Sequence, residues 1–409
     1  MKETKFKDTE IGRIPEEWET LYIHQITEIS TGATPSTNIN EYWENGTIRW
    51  MSSGELNNKI IYDVNGRITQ KGYDNTGTHM LPKNCVLIGL AGQGKTRGTA
   101  AYNKVELCTN QSIAAILPNS KYESKYLYFY IDSLYDKLRL LSAGDGGRGG
   151  LNKQILQNLE IAMPPLNEQH HIASALTSID NLIASLGKLI EKKKNIKQGA
   201  MQQLLTGKTR LKGFTEPWVY RKISEIATTS SGGTPSRSIP NYYYGDIKWF
   251  TTTELKDNYL YDSVEHITRE ALNNSSAKMF SANTILMAMY GATIGKLGVL
   301  KEPSTTNQAC CAIKCNDIVE IFLFYILLYN RKSIIEKGCG AGQPNISQAI
   351  VNELPFLVPP CEKEQQAIAT ILTKMDNEIT ALEAKRAKYE AIKQGMMQQL
   401  LTGKIRLIS

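Results

Sequence analysis

Residues 196–211 read IKQGAMQQLLTGKTRL, and residues 392–407 read IKQGMMQQLLTGKIRL. Fourteen of these sixteen positions are identical, at an offset of 196. The match extends upstream, where EQHHIASALTSIDN (168–181) pairs with EQQAIATILTKMDN (364–377). A double proline precedes each copy, Pro164-Pro165 and Pro359-Pro360. Looser pairs fill the rest: TGATPS (31–36) with SGGTPS (231–236), IRWMSSGEL (48–56) with IKWFTTTEL (247–255), and NQSIAAI (110–116) with NQACCAI (307–313). Chance does not produce this layout. The chain is a duplication in which a variable block is twice followed by a near-identical one, so its fold must consist of two related halves.

The near-identical blocks carry a helical period. Ile172, Leu176, Ile179, Ile183, Leu186 and Ile190 alternate at spacings of four and three, and the row continues through Lys193, Lys197, Ala200 and Leu204. The second copy gives Ile368, Leu372, Met375, Ile379, Leu382, Arg386, Tyr389, Lys393, Met396 and Leu400. A sustained 3.5-residue apolar period predicts a coiled-coil seam. The prolines sit ahead of each helix, where a missing N–H is harmless, and Gly207 and Gly403 stand where a C-terminal stop belongs. Two matched helices in one chain are expected to pack on each other about a pseudo-two-fold axis, hence antiparallel. That arrangement would separate the two variable blocks and hold them at a fixed distance.

The variable blocks read as mixed α/β. Short apolar or β-branched runs (Cys85–Leu90, Ser112–Leu117, Thr284–Met289, Ala309–Ile313) alternate with glycine-rich turns, and helical stretches follow near Tyr122–Leu141 and Asp317–Lys337. Bulk properties add bounds. At 409 residues the chain suits two to four domains. Its net charge of +7 is unevenly spread, with eight Lys or Arg and one acidic residue between Lys188 and Lys212. Such an excess fits either a polyanionic partner or a solvated helix face. No 18-residue apolar run suggests a membrane span, and the first residues lack a secretory h-region. Seven cysteines without scaffold spacing fit a reducing cytoplasm.

One stretch points elsewhere. Residues 89–96, GLAGQGKT, match the phosphate-cradling pattern G-x-x-x-x-G-K-[ST] after an apolar run. The duplication supplies a control. Aligned on sequence, Gly94-Lys95 matches Gly295-Lys296, but Gly89 becomes Ala288 and Thr96 becomes Leu297. A phosphate loop must also open a helix, whereas Arg97-Gly98 follows at once. A glycine and lysine in a tight turn beside a strand fit a loop whose backbone can approach a phosphate. Other catalytic patterns fail the same control. Asp246 with Glu254 and Lys256 resembles a nuclease set, but only the glutamate recurs, as Glu55. Cys310 and Cys311 replace Ile113 and Ala114, which favours core filling over a metal site. His170-His171 faces Gln366-Ala367. No catalytic residue and no metal site is expected.

This organisation resembles the specificity subunit of type I restriction–modification enzymes. GRIPEEW (12–18) and GFTEPW (213–218) are similar to the family's openings of each target-recognition domain, and TGATPS and SGGTPS follow at the usual place. LMAMYGATIGKLGV (286–299) resembles its strand–glycine–lysine turn. GAGQPNISQAIVNELPFLVPP (340–360) resembles its passage into the spacer helix, and GGRGGLNKQILQNLEIAMPP (146–165) is a looser version. The implied fold is two duplicated α/β recognition domains joined by two long α-helices in an antiparallel coiled coil with pseudo-two-fold symmetry. Its bounds are 1–160 and 209–356 for the recognition domains, and 161–208 and 357–409 for the spacer helices. The resemblance implies a chain without catalysis that reads a split site on double-stranded DNA. Its partners would be two methyltransferase subunits and, in the larger complex, restriction–translocase subunits. S-adenosylmethionine, ATP and Mg²⁺ would serve those partners, and this chain would carry no cofactor.

Base-reading candidates come from differences between the copies on polar or glycine-rich loops. In the first domain they are Ser36, Arg49, Gln93, Lys95, Arg97 and Arg148. In the second they are Arg237, Lys248, Lys256, Lys296, Gln343 and Asn345. Arginine and glutamine can bond bidentately to guanine and adenine respectively. Three alternatives stay open: a coiled-coil scaffold without DNA specificity, an ATPase built on residues 89–96, and a fused restriction–methylation enzyme, against which the lack of a methyltransferase motif weighs.

Overall fold

The computed structural model describes residues 4–92, 94–142, 150–338 and 345–408. It divides into two compact units. Unit 1 comprises residues 1–187 and 385–409, and unit 2 comprises residues 188–384.

Unit 1 opens with β1 (Phe6–Thr9), β2 (Gly12–Pro15), β3 (Glu19–Tyr22), α1 (Ile23–Ile26), β4 (Ile29–Thr31), β5 (Ile48–Met51), β6 (Ile60–Ile61), β7 (Arg67–Ile68) and α2 (Gln70–Asp74). It continues with β8 (Val86–Gly89), β9 (Ala100–Asn103), β10 (Cys108–Thr109), β11 (Ile113–Ile116), α3 (Ser124–Ser133), α4 (Tyr135–Leu141), α5 (Lys153–Gln157), β12 (Glu160–Met163) and the start of α6 (Leu166–Leu204). Five strands form a sheet in the order β4-β11-β8-β9-β6, and three more form a second sheet, β10-β5-β7. The central strands β8 and β11 are buried throughout, which is why they read as unbroken apolar runs and not as alternating ones.

Unit 2 repeats this plan. Its elements are β13 (Val219–Lys222), α7 (Ile223–Ile226), β14 (Ala227–Ser231), β15 (Ile247–Phe250), β16 (Asn258–Leu260), β17 (Glu265–Ile267), α8 (Arg269–Asn273), β18 (Ile285–Ala288), β19 (Leu297–Leu300), β20 (Thr305–Thr306) and β21 (Cys310–Cys315). Then follow α9 (Glu320–Tyr329), α10 (Arg331–Lys337), α11 (Gln348–Asn352), β22 (Pro355–Val358) and the start of α12 (Glu362–Leu400). The sheet orders are β14-β21-β18-β19-β16 and β17-β15-β20, the same arrangement as in unit 1.

The long helices α6 and α12 have 39 residues each, about 58 Å at 1.5 Å per residue. Each ends before a glycine of positive φ, Gly207 at 69° and Gly403 at 68°, the left-handed stop expected from the sequence. In unit 1, Ile172 and Leu176 share a core with Met397, Leu400 and Leu401, and Lys393 Nζ lies 2.6 Å from Asp180. In unit 2, Ile368 and Leu372 share a core with Met201, Leu204 and Leu205, and Lys197 Nζ lies 2.5 Å from Asp376. Numbers rise along one helix as they fall along the other, so the pair is antiparallel. Ile179, Leu186, Ile190 and Ile379 are buried, while Ile183, Met375, Leu382 and Tyr389 are half-buried. Arg386 is exposed, a polar gap in the seam.

The near-identity of the repeats has a physical cause. Glu168 is buried and accepts from Arg406 (Nε 2.7 Å, Nη2 2.8 Å) and from Trp18 Nε1 at 3.0 Å. Glu364 is buried and accepts from Arg210 at 2.7 and 2.8 Å. The next residue also recurs. Gln169 donates to Pro164 O (2.8 Å) and accepts from Glu123 N, and Gln365 donates to Pro359 O (2.9 Å) and accepts from Val319 N. Buried charges and amides must be paired, so these residues cannot drift independently.

Candidate nucleic-acid interface

The sequence pointed to one hairpin loop in each unit. In unit 1 the loop joins β8 to the antiparallel β9, with Gly89 N bonded to Thr99 O and Gly98 N to Gly89 O. In unit 2 it joins β18 to β19, with Ala288 N bonded to Lys296 O and Gly295 N to Ala288 O. These ladders correct the sequence alignment: Gly295 matches Gly98, not Gly94, and Lys296 matches Thr99, not Lys95. Gly98 (φ 80°) and Gly295 (φ 73°) do the same job. Each presses on the helix that follows, Gly98 against Leu138 and Tyr135, Gly295 against Arg331 and Ile335. The first loop is longer by two residues, which hid the equivalence. Gly94-Lys95 has no counterpart in unit 2.

The phosphate-loop pattern is therefore a hairpin. The element after residues 89–96 is the strand β9, which pairs back on β8, so the loop does not open a helix. Gly89 is small for a local reason: a Cβ there would lie 2.2 Å from Thr96 O.

The loop carbonyls are gripped from the helix after the sheet. Arg139 Nη1 donates to Gly94 O at 2.7 Å, and Tyr135 OH donates to Lys95 O at 3.2 Å. Thr99 Oγ1 donates to Lys95 O as well, at 2.6 Å. In unit 2, Arg331 Nε donates to Gly295 O at 2.8 Å. Arg331 also bonds Asp257, whose second oxygen lies 3.1 Å from Lys296 Nζ. Tyr135, Arg139, Arg331 and Asp257 were missed from sequence because the copies use different side chains for the grip. The exposed Tyr290 was missed too. It bridges to Asn345, which brings that candidate beside the second loop.

The remaining candidates scatter by environment. Lys95 and Lys256 are exposed, with no ion-pair partner among the described residues; Ser36 and Asn345 are exposed. Arg97 is half-buried, its Nη1 3.4 Å from Ser142 Oγ. Arg49 donates to Asp63 at 2.8 Å, and that hydrogen bond holds the Asp63 carboxyl below its ordinary value. Lys248 donates to Glu302 (2.7 Å) and to Tyr261 O (2.6 Å). Arg237 forms a fork with Glu265, which keeps the carboxyl low, and lies 4.0 Å from the Tyr243 ring centroid. Gln93, Arg148 and Gln343 lie outside the described residues.

The motifs shared by both copies turn out to be scaffold. Trp50 Nε1 donates to Ala33 O and Trp249 Nε1 to Gly233 O, so IRW and IKW tie down TGATPS and SGGTPS. The recurring glutamate of the nuclease-like pattern is a cap and brace. Glu254 accepts from Thr251 N (2.7 Å) and Val264 N (2.9 Å); Glu55 accepts from Ser52 N (3.1 Å) and Asn65 N (2.9 Å). Cys310 and Cys311 are core residues of β21 whose thiols burial pushes up to about 12. His170 pairs with Glu123, and His171 Nδ1 lies 2.8 Å from Leu407 O. Among the described residues no group of three or more His, Cys, Asp or Glu could hold a metal ion, and no helix is long and apolar enough to cross a membrane.

The family model for the type I restriction modification DNA specificity domain matches twice, at residues 15–197 and 215–394. The chain belongs to the type I specificity-subunit family. The specificity subunit of the type I restriction enzyme MjaVIII from Methanocaldococcus jannaschii is 28% identical over 438 aligned positions, spanning 99% of this chain and 97% of the relative. That of EcoR124I/EcoR124II from Escherichia coli is 30% identical over 183 positions, 44% of each chain. The S subunit from M. genitalium shares the fold, with a TM-score of 0.63 at 16% identity over 94% of this chain and 96% of that one. This specificity subunit thus has a DNA-recognition role, and the hairpin loops are elements of its two specificity domains.

Proposed function

We propose that each unit of this specificity subunit reads one half of a bipartite DNA site, and that the chain itself performs no catalysis. The long helices set the gap between the half-sites and dock two methyltransferase subunits, with restriction–translocase subunits joining in the larger complex. S-adenosylmethionine, ATP and Mg²⁺ belong to those partners. The observation that carries this reading is the contrast within each unit. The helix pair keeps identical polar crosslinks, Glu168–Arg406 with Glu364–Arg210 and Asp180–Lys393 with Asp376–Lys197, while the hairpin loops differ in length and charge. Half-sites read from one face should lie about one turn, ~10 bp, apart.

The test is a map of methylated bases in the source cell, with and without the gene. Two short specified parts around a fixed unspecified gap should lose methylation on deletion. An unchanged map overturns the reading. Within it, Lys95→Ala should weaken DNA binding about evenly across sequences and lower the salt slope by about one if the amine meets a phosphate. Binding measured across a salt series checks this, and an unchanged slope removes Lys95 from the phosphate contacts.

A further inference from the structure

Each hairpin loop projects beyond the strands it joins, yet a reader of bases must present its donors in one geometry. The grip on the loop carbonyls recurs in both units at the same helix position. Tyr135 and Arg331 each stand first in the helix that follows α3 or α9, and each donates to a loop carbonyl, Lys95 O or Gly295 O. The donor has changed from phenol to guanidinium and the accepting carbonyls are not equivalent positions, but in each unit the first residue of this helix bonds the hairpin. Unit 1 adds Arg139, bonded at once to Gly94 O (2.7 Å) and Tyr135 OH (3.2 Å). Unit 2 adds Asp257, which ties Arg331 to Lys296. In both units a glycine of positive φ sits at the contact with this helix, Gly98 at 80° and Gly295 at 73°.

We propose that Tyr135 with Arg139 in unit 1, and Arg331 with Asp257 in unit 2, are positioning residues. They hold each hairpin loop in the geometry that discriminates one half-site. This rests on the reading that each unit reads one half of a split DNA site. The residues act through the loop backbone and touch no base. Loss of the grip therefore loosens discrimination at one half and leaves the other half, and the helix pair, as they were.

The experiment uses the full chain in its own cell, with genomic DNA as the probe. After the split motif is mapped, methylation is compared between matched sites and sites with one mismatch in either half. Tyr135→Phe combined with Arg139→Leu should raise relative methylation at mismatches in one half about two- to tenfold, the range of a lost hydrogen bond or two. Arg331→Leu should do the same for the other half only. Arg139→Lys, which keeps a donor, should restore much of the discrimination. An even fall of methylation at all sites, or discrimination unchanged, overturns the proposal. Lys95→Ala and Lys296→Ala separate the two failures. If these variants alter discrimination and the grip variants do not, the loops read DNA without the grip. If deletion of the gene leaves the map unchanged, the underlying reading fails and the grip falls with it.

Discussion

Unit 1 and unit 2 share the orders of their five-stranded and three-stranded sheets and differ in how each is closed. In unit 2 the segment between α6 and β13 is continuous chain and carries both Arg210 and Trp218. In unit 1 the corresponding parts come from opposite ends of the sequence, Arg406 from the C-terminal segment and Trp18 from the N-terminal one, and Glu168 binds both. Unit 2's carboxylate Glu364 binds the arginine alone, and Trp218 Nε1 finds no partner among the described residues. Where the backbone already joins two segments, one partner suffices. Where it does not, the buried carboxylate holds two groups, and Arg406 reaches Glu17 as well.

The largest expected effect tests this asymmetry. Glu168→Ala leaves the Arg406 guanidinium, whose side chain is 7% exposed, and the Trp18 N–H without their shared acceptor. Breaking such a buried pair costs about 3–5 kcal/mol. Urea unfolding of the full chain should show that loss, and a smaller one for Glu364→Ala, because Arg210 keeps 26% of its side chain in solvent. Equal losses would mean that the chain ends add no load to Glu168.

Next come the glycines that both copies retain. A Cβ on Gly32 would lie 1.8 Å from Thr109 O, and one on Gly232 would lie 2.2 Å from Thr306 O. Gly32→Ala and Gly232→Ala should each destabilise by about 1–3 kcal/mol, as overpacking does. Gly54→Ala, whose Cβ meets nothing nearer than 3.9 Å, is the control and should stay within about 0.5 kcal/mol. If the control loses as much, the cost lies in glycine's backbone freedom and not in the close approach.

These positions mark what the sequence could reveal. The helix seam was legible because a 3.5-residue period in a repeated block has one explanation, and Ile172, Leu176, Ile368 and Leu372 are all buried. The strands β8, β11, β18 and β21 were legible as apolar runs. The break between α3 and α4 at Leu134 was not, since apolar residues continue across it. The hairpin equivalence failed because the glycine-lysine pairs at 94–95 and 295–296 drew the alignment to themselves, which placed the two-residue difference in the wrong copy. The grip on the loops was invisible for a deeper reason: a carbonyl accepts from phenol or guanidinium alike, so the geometry recurs while the residue does not.

The smallest effect concerns a side-chain exchange between the copies. Ile60 pairs with Tyr102 across β6 and β9, whereas Tyr259 pairs with Val299 across β16 and β19. The aromatic ring has changed strands while the pair has kept one ring and one aliphatic. A lysine two residues past the β9 or β19 member meets the ring in both units, Lys104 Nζ 5.0 Å from the Tyr102 centroid and Lys301 Nζ 4.6 Å from that of Tyr259. Each pair thus holds one ring and one aliphatic side chain. Tyr102→Val should open a gap beside Tyr128, and Ile60→Tyr should crowd the pair. The double variant should recover about 0.5–1.5 kcal/mol relative to the sum of the single losses, within the usual range for residues in contact. Full recovery is not expected, because Tyr102 OH also bonds Asn84 at 2.7 Å and the transplanted ring does not inherit that bond. A double-mutant cycle by urea unfolding measures the coupling. Strict additivity would mean that the two copies reached their packing independently, and that the exchange of ring and aliphatic is not a constraint of the shared fold.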